Sequence, residues 1–172
     1  MASALKRKKR TVYALYAVLM LTVFLIQYSP AFSAPIGAPS VSIFLPVVFS
    51  AGILFKEWTG AVYGIIAGAA ADIVCADSLC FNTIALFLIC CISGLLISRV
   101  FLNNTVSASV VLFADIAVYY ISKWFVFNLL GDSDESIAFL LKITLPSAGL
   151  TFLVGVPIFL LVRWCARKLV KK

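Results

Sequence analysis

The chain has 172 residues, of which 63% are hydrophobic and only 12% charged, and it carries a net charge of +7 with no histidine. That balance excludes an ordinary water-soluble domain, in which about a quarter of the residues are charged. The positive charge does not mark a nucleic-acid binder either. Ten of the fourteen cations lie in the two termini, and no soluble module offers a basic face. Clusters placed there suit the anionic inner leaflet of a membrane, at about 1 kcal/mol per residue near the surface.

Five consecutive basic residues, Lys6 to Arg10, stand before an uncharged apolar run from Val12 to Phe32. About 20 apolar residues are what one helix needs to cross the hydrocarbon core. The basic block holds the start of that helix in the cytoplasm, because Lys and Arg accumulate on the side that does not translocate. Pro30, Pro35 and Pro39 with Gly37 predict a stiff, uncharged turn. A second span is expected over Ala38–Phe55 and a third over Thr59–Cys75, with only Lys56, Glu57 and Trp58 between them, which forces a tight helical hairpin. Further spans are expected over Cys80–Ser98, Thr105–Leu130 and Ile137–Val162, the last two joined by Gly131, Asp132, Ser133, Asp134 and Glu135. Pro46 in the second span, and Pro146 and Pro157 in the sixth, each remove an amide donor and invite a kink.

The expected fold is an all-α membrane protein, a six-transmembrane-helix bundle with N- and C-termini cytoplasmic. Residues 1–11 form a basic cytoplasmic N-terminus, 12–162 the transmembrane domain and 163–172 a basic tail. The loops agree with this orientation. Lys56, Arg99 and the tail cations Arg163, Arg167, Lys168, Lys171 and Lys172 fall inside, whereas the outer loops hold Asp77, Asp132, Asp134 and Glu135 without a cation. A secretory signal peptide is the competing reading of the start, with small residues near Ala31 and Ser33. The apolar run exceeds the usual length, and Pro35 disfavours cleavage after Ala34.

Nothing in the chain announces catalysis. Without His it lacks the commonest general base and metal ligand. The five cysteines (Cys75, Cys80, Cys90, Cys91, Cys165) show no CxxC spacing, so they read as small buried hydrophobes rather than zinc ligands. Cys75 and Cys80 both fall near the outer surface, where a disulfide stays open. No nucleotide loop or nucleophile elbow is present, and no cofactor is implied.

The third span is the most patterned. Gly60, Gly64, Gly68 and Asp72 recur every four residues on one helical stripe, widened by Ala67, Ala69, Ala70 and Ala71. Small residues at this spacing let helix backbones approach closely, a main source of association in lipid. An internal seam is the preferred reading, a partner interface the other. A carboxylate in mid-membrane costs about 2.5–3.5 kcal/mol on insertion scales, so Asp72 needs a partner. By helical rise Asp72 lies roughly 20 Å from the cytoplasmic end, Asp115 roughly 15 Å and Lys123 about 27 Å. An Asp72–Lys123 pair is therefore expected, extended by Asn82 and Asn128 near the same depth. Asp115 has no equally obvious partner, and Lys142 is expected to snorkel toward Asp132, Asp134 and Glu135.

On these residues the chain resembles the MreD family, small membrane proteins of the bacterial rod-shape-determining system. The likeness covers nearly the full length: a basic start, a first span ending in Leu25-Ile26-Gln27, and a second span after a Pro-rich turn. Its most specific part is Gly60-x3-Gly64-x3-Gly68-x3-Asp72, followed by Leu79-x2-Asn82, a basic loop around Arg99 and Leu145-Pro146. Family members usually carry Gly where this chain has Cys80, and often an acidic residue where it has Ser147. The resemblance implies a scaffold without catalysis in the bacterial cytoplasmic membrane. It also implies binding of the bitopic protein MreC and support for lateral peptidoglycan synthesis with MreB, RodA and a penicillin-binding transpeptidase. The alternative is a substrate-binding S component of an energy-coupling-factor vitamin transporter, a six-helix family of similar fold. Such a protein is expected to offer a polar or aromatic-lined pocket open to the outside, and the short apolar first outer loop counts against it. A third reading, an intramembrane enzyme, needs a richer polar cluster than Asp72, Asp115 and Lys123.

Overall fold

A computed structural model describes the backbone of residues 2–29, 41–55, 57–75, 80–99, 105–129, 142 and 144–171, and their side chains outside 2–10, 127–129 and 166–171. Among these residues the chain is all helical, with six helices: α1 (Ala2–Gln27), α2 (Phe44–Leu54), α3 (Glu57–Cys75), α4 (Phe81–Arg99), α5 (Thr105–Leu129) and α6 (Leu145–Lys171). Four stretches, Glu57–Cys75, Phe81–Arg99, Thr105–Val126 and Leu145–Cys165, are long and apolar enough to span a membrane. The apolar parts of α1, Thr11–Gln27, and α2 are shorter.

The second helix differs most from its expected form. Instead of running over Ala38–Phe55, it occupies 11 residues, a rise of about 16 Å against a hydrocarbon core of about 30 Å. It is also buried on every side, from Phe44 through Ile53 without a break. An apolar run without a polar face reads as a lipid-facing span, but such a helix is equally at home in a protein core. Its start is set by hydrogen bonds: Leu45 N donates to Ser42 Oγ (3.4 Å) and Ile43 N to Gln27 Oε1 (2.8 Å). At its other end Phe55 turns extended.

The prolines were also placed differently than their spacing suggested. Pro46 lies in the first turn of α2 and Pro146 in the first turn of α6, where the missing amide has no partner to lose. Only Pro157 lies inside its helix. The Pro46 ring packs on Gly155 of α6, where an added Cβ would meet Pro46 Cγ at 2.8 Å.

Around α2 the other helices form a ring. α2 touches all five, α3 packs on α4 in the most extensive interface, α4 on α5, α5 on α6 and α6 on α1. Tyr63 of α3 closes the ring by donating to Tyr13 O of α1 at 2.8 Å. Phe49, Val47 and Val48 of α2 meet Leu86, Leu112, Ile116 and Phe159 in the fully buried core. The outside is more apolar than a water-exposed surface: Ile73 is 80% exposed, Leu153 72% and Val106 71%. Glycine, alanine, serine and two aspartates lie within. Contiguous exposed apolar surface of this kind belongs to lipid. Trp58 and Trp164, both exposed, stand at the end that carries Arg99, as aromatic anchors do at a membrane interface.

Candidate functional site

The candidate residues fall into two clusters and one cavity. The first cluster is the α3–α4 seam. A Cβ added at Gly64 would stand 2.6 Å from Leu86 O, and one at Gly68 would stand 2.6 Å from Asn82 O. Gly60 meets α2 instead, with Gly52 Cα 2.7 Å from such an atom. Gly52 and Gly94 complete the contact from the other side, Gly52 against the Cys90 backbone and Gly94 against Glu57. All three stripe glycines thus face neighbours within the chain, at separations no side chain can share.

Asp72 ends the stripe, 6% exposed. Its Oδ1 accepts from Asn82 N at 3.0 Å, and its Oδ2 accepts from Thr83 N at 2.8 Å and Thr83 Oγ1 at 2.5 Å. The carboxylate therefore caps α4 from a neighbouring helix. The first amides of a helix have no partner within it and carry the positive end of its dipole, so they take an anion well. This corrects the expected Asp72–Lys123 pair. Both carboxylate oxygens are committed to α4, and Lys123 is exposed on α5. Depth along the helices had pointed to the nearest cation, whereas the nearer positive group is a backbone terminus that no charge count reveals. Thr83 was missed for the same reason. The available signal was a helix start nine residues after an aspartate, at the close of a short connection.

The Asn82 side chain joins this cluster too, hydrogen-bonding Asp72 while its Oδ1 accepts from Tyr119 OH at 2.6 Å. The side chain of Asn128 lies outside the described residues, as do Asp132, Asp134 and Glu135, the expected neighbours of Lys142. Just before α4, Cys80 has φ of 47°, in the left-handed region that disfavours side chains. Cys80→Gly is expected to stabilise the protein by about 1 kcal/mol. Thermal unfolding in detergent checks this, and a lowered midpoint contradicts it. Cys75 and Cys80 both stand as free thiols.

The second cluster lies deeper. Asp115 is 7% exposed, and its Oδ1 lies 2.7 Å from Ser93 Oγ. Ser93 is equally close, 2.7 Å, to Ile89 O, so one hydroxyl proton serves two acceptors. Asp115 Oδ2 is buried and makes no hydrogen bond. Tyr16 and Ser50 form a separate contact, 2.6 Å apart, and Tyr16 also donates to Val47 O. Asp115 is thus brought to neither Asp72 nor Lys123.

At the end of the bundle away from Arg99, above the start of α2, lies a cavity of about 210 Å³. Gln27, Ser42, Tyr119, Tyr120 and Lys123 line it, with Leu45 and Leu86 among its apolar walls. Its polar frame is held by Gln27, whose Nε2 donates to Val41 O at 3.4 Å, and by Thr151, whose Oγ1 accepts from Ser42 N at 3.1 Å and lies 3.1 Å from Tyr120 OH. Sequence spacing gave no sign of it, because its walls come from five helices.

Compared with known proteins, the chain matches no family model, no curated protein and no solved structure.

Proposed function

We propose that the chain is a non-catalytic scaffold of the bacterial cell-elongation system, similar to MreD. On this reading it crosses the cytoplasmic membrane six times with both termini inside, binds MreC and supports lateral wall synthesis by MreB, RodA and a penicillin-binding transpeptidase. The observation that carries it is the α3–α4 seam. The positions most specific to the family likeness, Gly60, Gly64, Gly68, Asp72 and Asn82, all serve close packing or the cap of α4; Leu79 of the same motif lies outside the described residues. Cys80 adds to the likeness, since its φ of 47° is one that glycine, the usual family residue there, adopts without strain. A rigid bundle whose buried polar groups mostly hold helices together suits a partner-binding role. Its exposed Leu, Ile and Val ridges suit contact with lipid and with a partner's membrane span.

Two measurements test the proposal. Depletion in a rod-shaped host is expected to widen cells and scatter wall insertion, and purification from membranes is expected to bring down a single-span protein with a large extracellular domain. Normal cell width together with no such partner rules it out. The cavity favours a second reading, the vitamin-importer subunit, because it is polar, aromatic-lined and on the proposed outer side. Co-purification with an ATPase complex and a bound vitamin is the outcome that selects that reading.

A further inference from the structure

Lys123 lines the distal cavity and, among the described residues, makes no ion pair. The acid nearest to it in depth, Asp72, is committed to the amides of α4. A cation within a membrane-spanning segment normally faces a counter-charge. The described walls of the cavity contain no Asp or Glu to provide one.

The remaining polar groups favour donation. Ser42 Oγ accepts from Leu45 N and keeps its own proton. Thr151 Oγ1 accepts from Ser42 N and lies 3.1 Å from Tyr120 OH, a contact in which either hydroxyl can donate. Lys123 and Ser42 thus offer donors to the cavity, Tyr120 adds a second hydroxyl to its rim, and Leu45 and Leu86 offer apolar wall. A volume of 210 Å³ equals that of about seven liquid waters, enough for an acidic group and a short stem.

We propose that this cavity binds the acidic group of a small amphiphile, a carboxylate or a phosphate, with Lys123 as its counter-ion. The group comes either from an anionic lipid or from a soluble organic acid. The site is independent of MreC binding, so it stands or falls apart from the scaffold reading.

The test uses the full chain purified in neutral detergent, with thermal unfolding read against added dihexanoyl phosphatidylglycerol, dihexanoyl phosphatidylcholine, hexanoate and inorganic phosphate. A ligand of the folded state raises the unfolding midpoint with concentration. At least one anionic probe is expected to do so, and the zwitterionic lipid is not. Lys123→Gln is expected to weaken the effect at least tenfold, Lys123→Arg to keep it, and Ser42→Ala to weaken it severalfold. Action by phosphatidylglycerol alone assigns the site to lipid; action by hexanoate or phosphate assigns it to a soluble acid. Absence of any anionic effect on the wild type overturns the proposal. So does an equal effect in Lys123→Gln, with each protein's shift read against its own midpoint without ligand.

Discussion

Replacing Gly68 with alanine is expected to lower the stability of this protein by about 2 kcal/mol, although alanine is the better helix former. The same replacement at Gly149 is expected to be neutral or to stabilise by up to about 1 kcal/mol. The two glycines differ in what a methyl group would meet. At Gly68 it would strike the backbone of Asn82 and Thr83, with Asn82 O at 2.6 Å, whereas at Gly149 nothing lies within 4 Å. Backbone cannot rotate aside as a side chain can, so α3 and α4 must separate. That separation also draws Asp72 from the amides it holds, which links the two features of the seam. Unfolding in a denaturing detergent, followed by tryptophan fluorescence, measures both variants. Equal changes at the two positions would mean that the seam does not set stability.

Asp72→Leu is the second large effect, a loss of about 3 kcal/mol. It strands the buried Asn82 N–H and the part-buried Thr83 N–H and hydroxyl, and each donor left unsatisfied away from water costs about 1–3 kcal/mol. Asp72→Asn retains one acceptor and turns an amide nitrogen toward donors, so about half of that loss is expected. Lys123→Leu is expected to cost the same in the wild type and in Asp72→Asn. A double-mutant cycle reads this directly: a coupling well above about 0.5 kcal/mol would restore the ion pair that the geometry replaces.

The helical class, the approximate positions of α3, α4 and α5 and the glycine stripe were legible in the sequence, because each rests on local periodicity or run length. What was not legible depended on neighbours. The apolar run before Phe55 has the hydropathy of a lipid-facing span, and only the five helices around α2 make it a core element. The mid-membrane carboxylate was visible at Asp72, but its partner was a helix terminus, which carries no formal charge. Asp115 read as an acid without an obvious partner; it touches Ser93 and lies close enough to the buried Cys90 thiol to interact with it, and it meets no cation among the described residues. The cavity drew its walls from α1, α2, α3, α4 and α5 and the segments that border them, so no single stretch of sequence encoded it.

The shortness of α2 has a further consequence for the bundle's shape. A central rod reaching both faces would have plugged the ring along its whole height. This one stops near halfway, and the hollow beside Lys123 occupies room that another turn or two would have claimed. Extending α2 toward its N-terminus by one turn, about 5.4 Å, would therefore fill the vacancy while leaving the α3–α4 clasp alone.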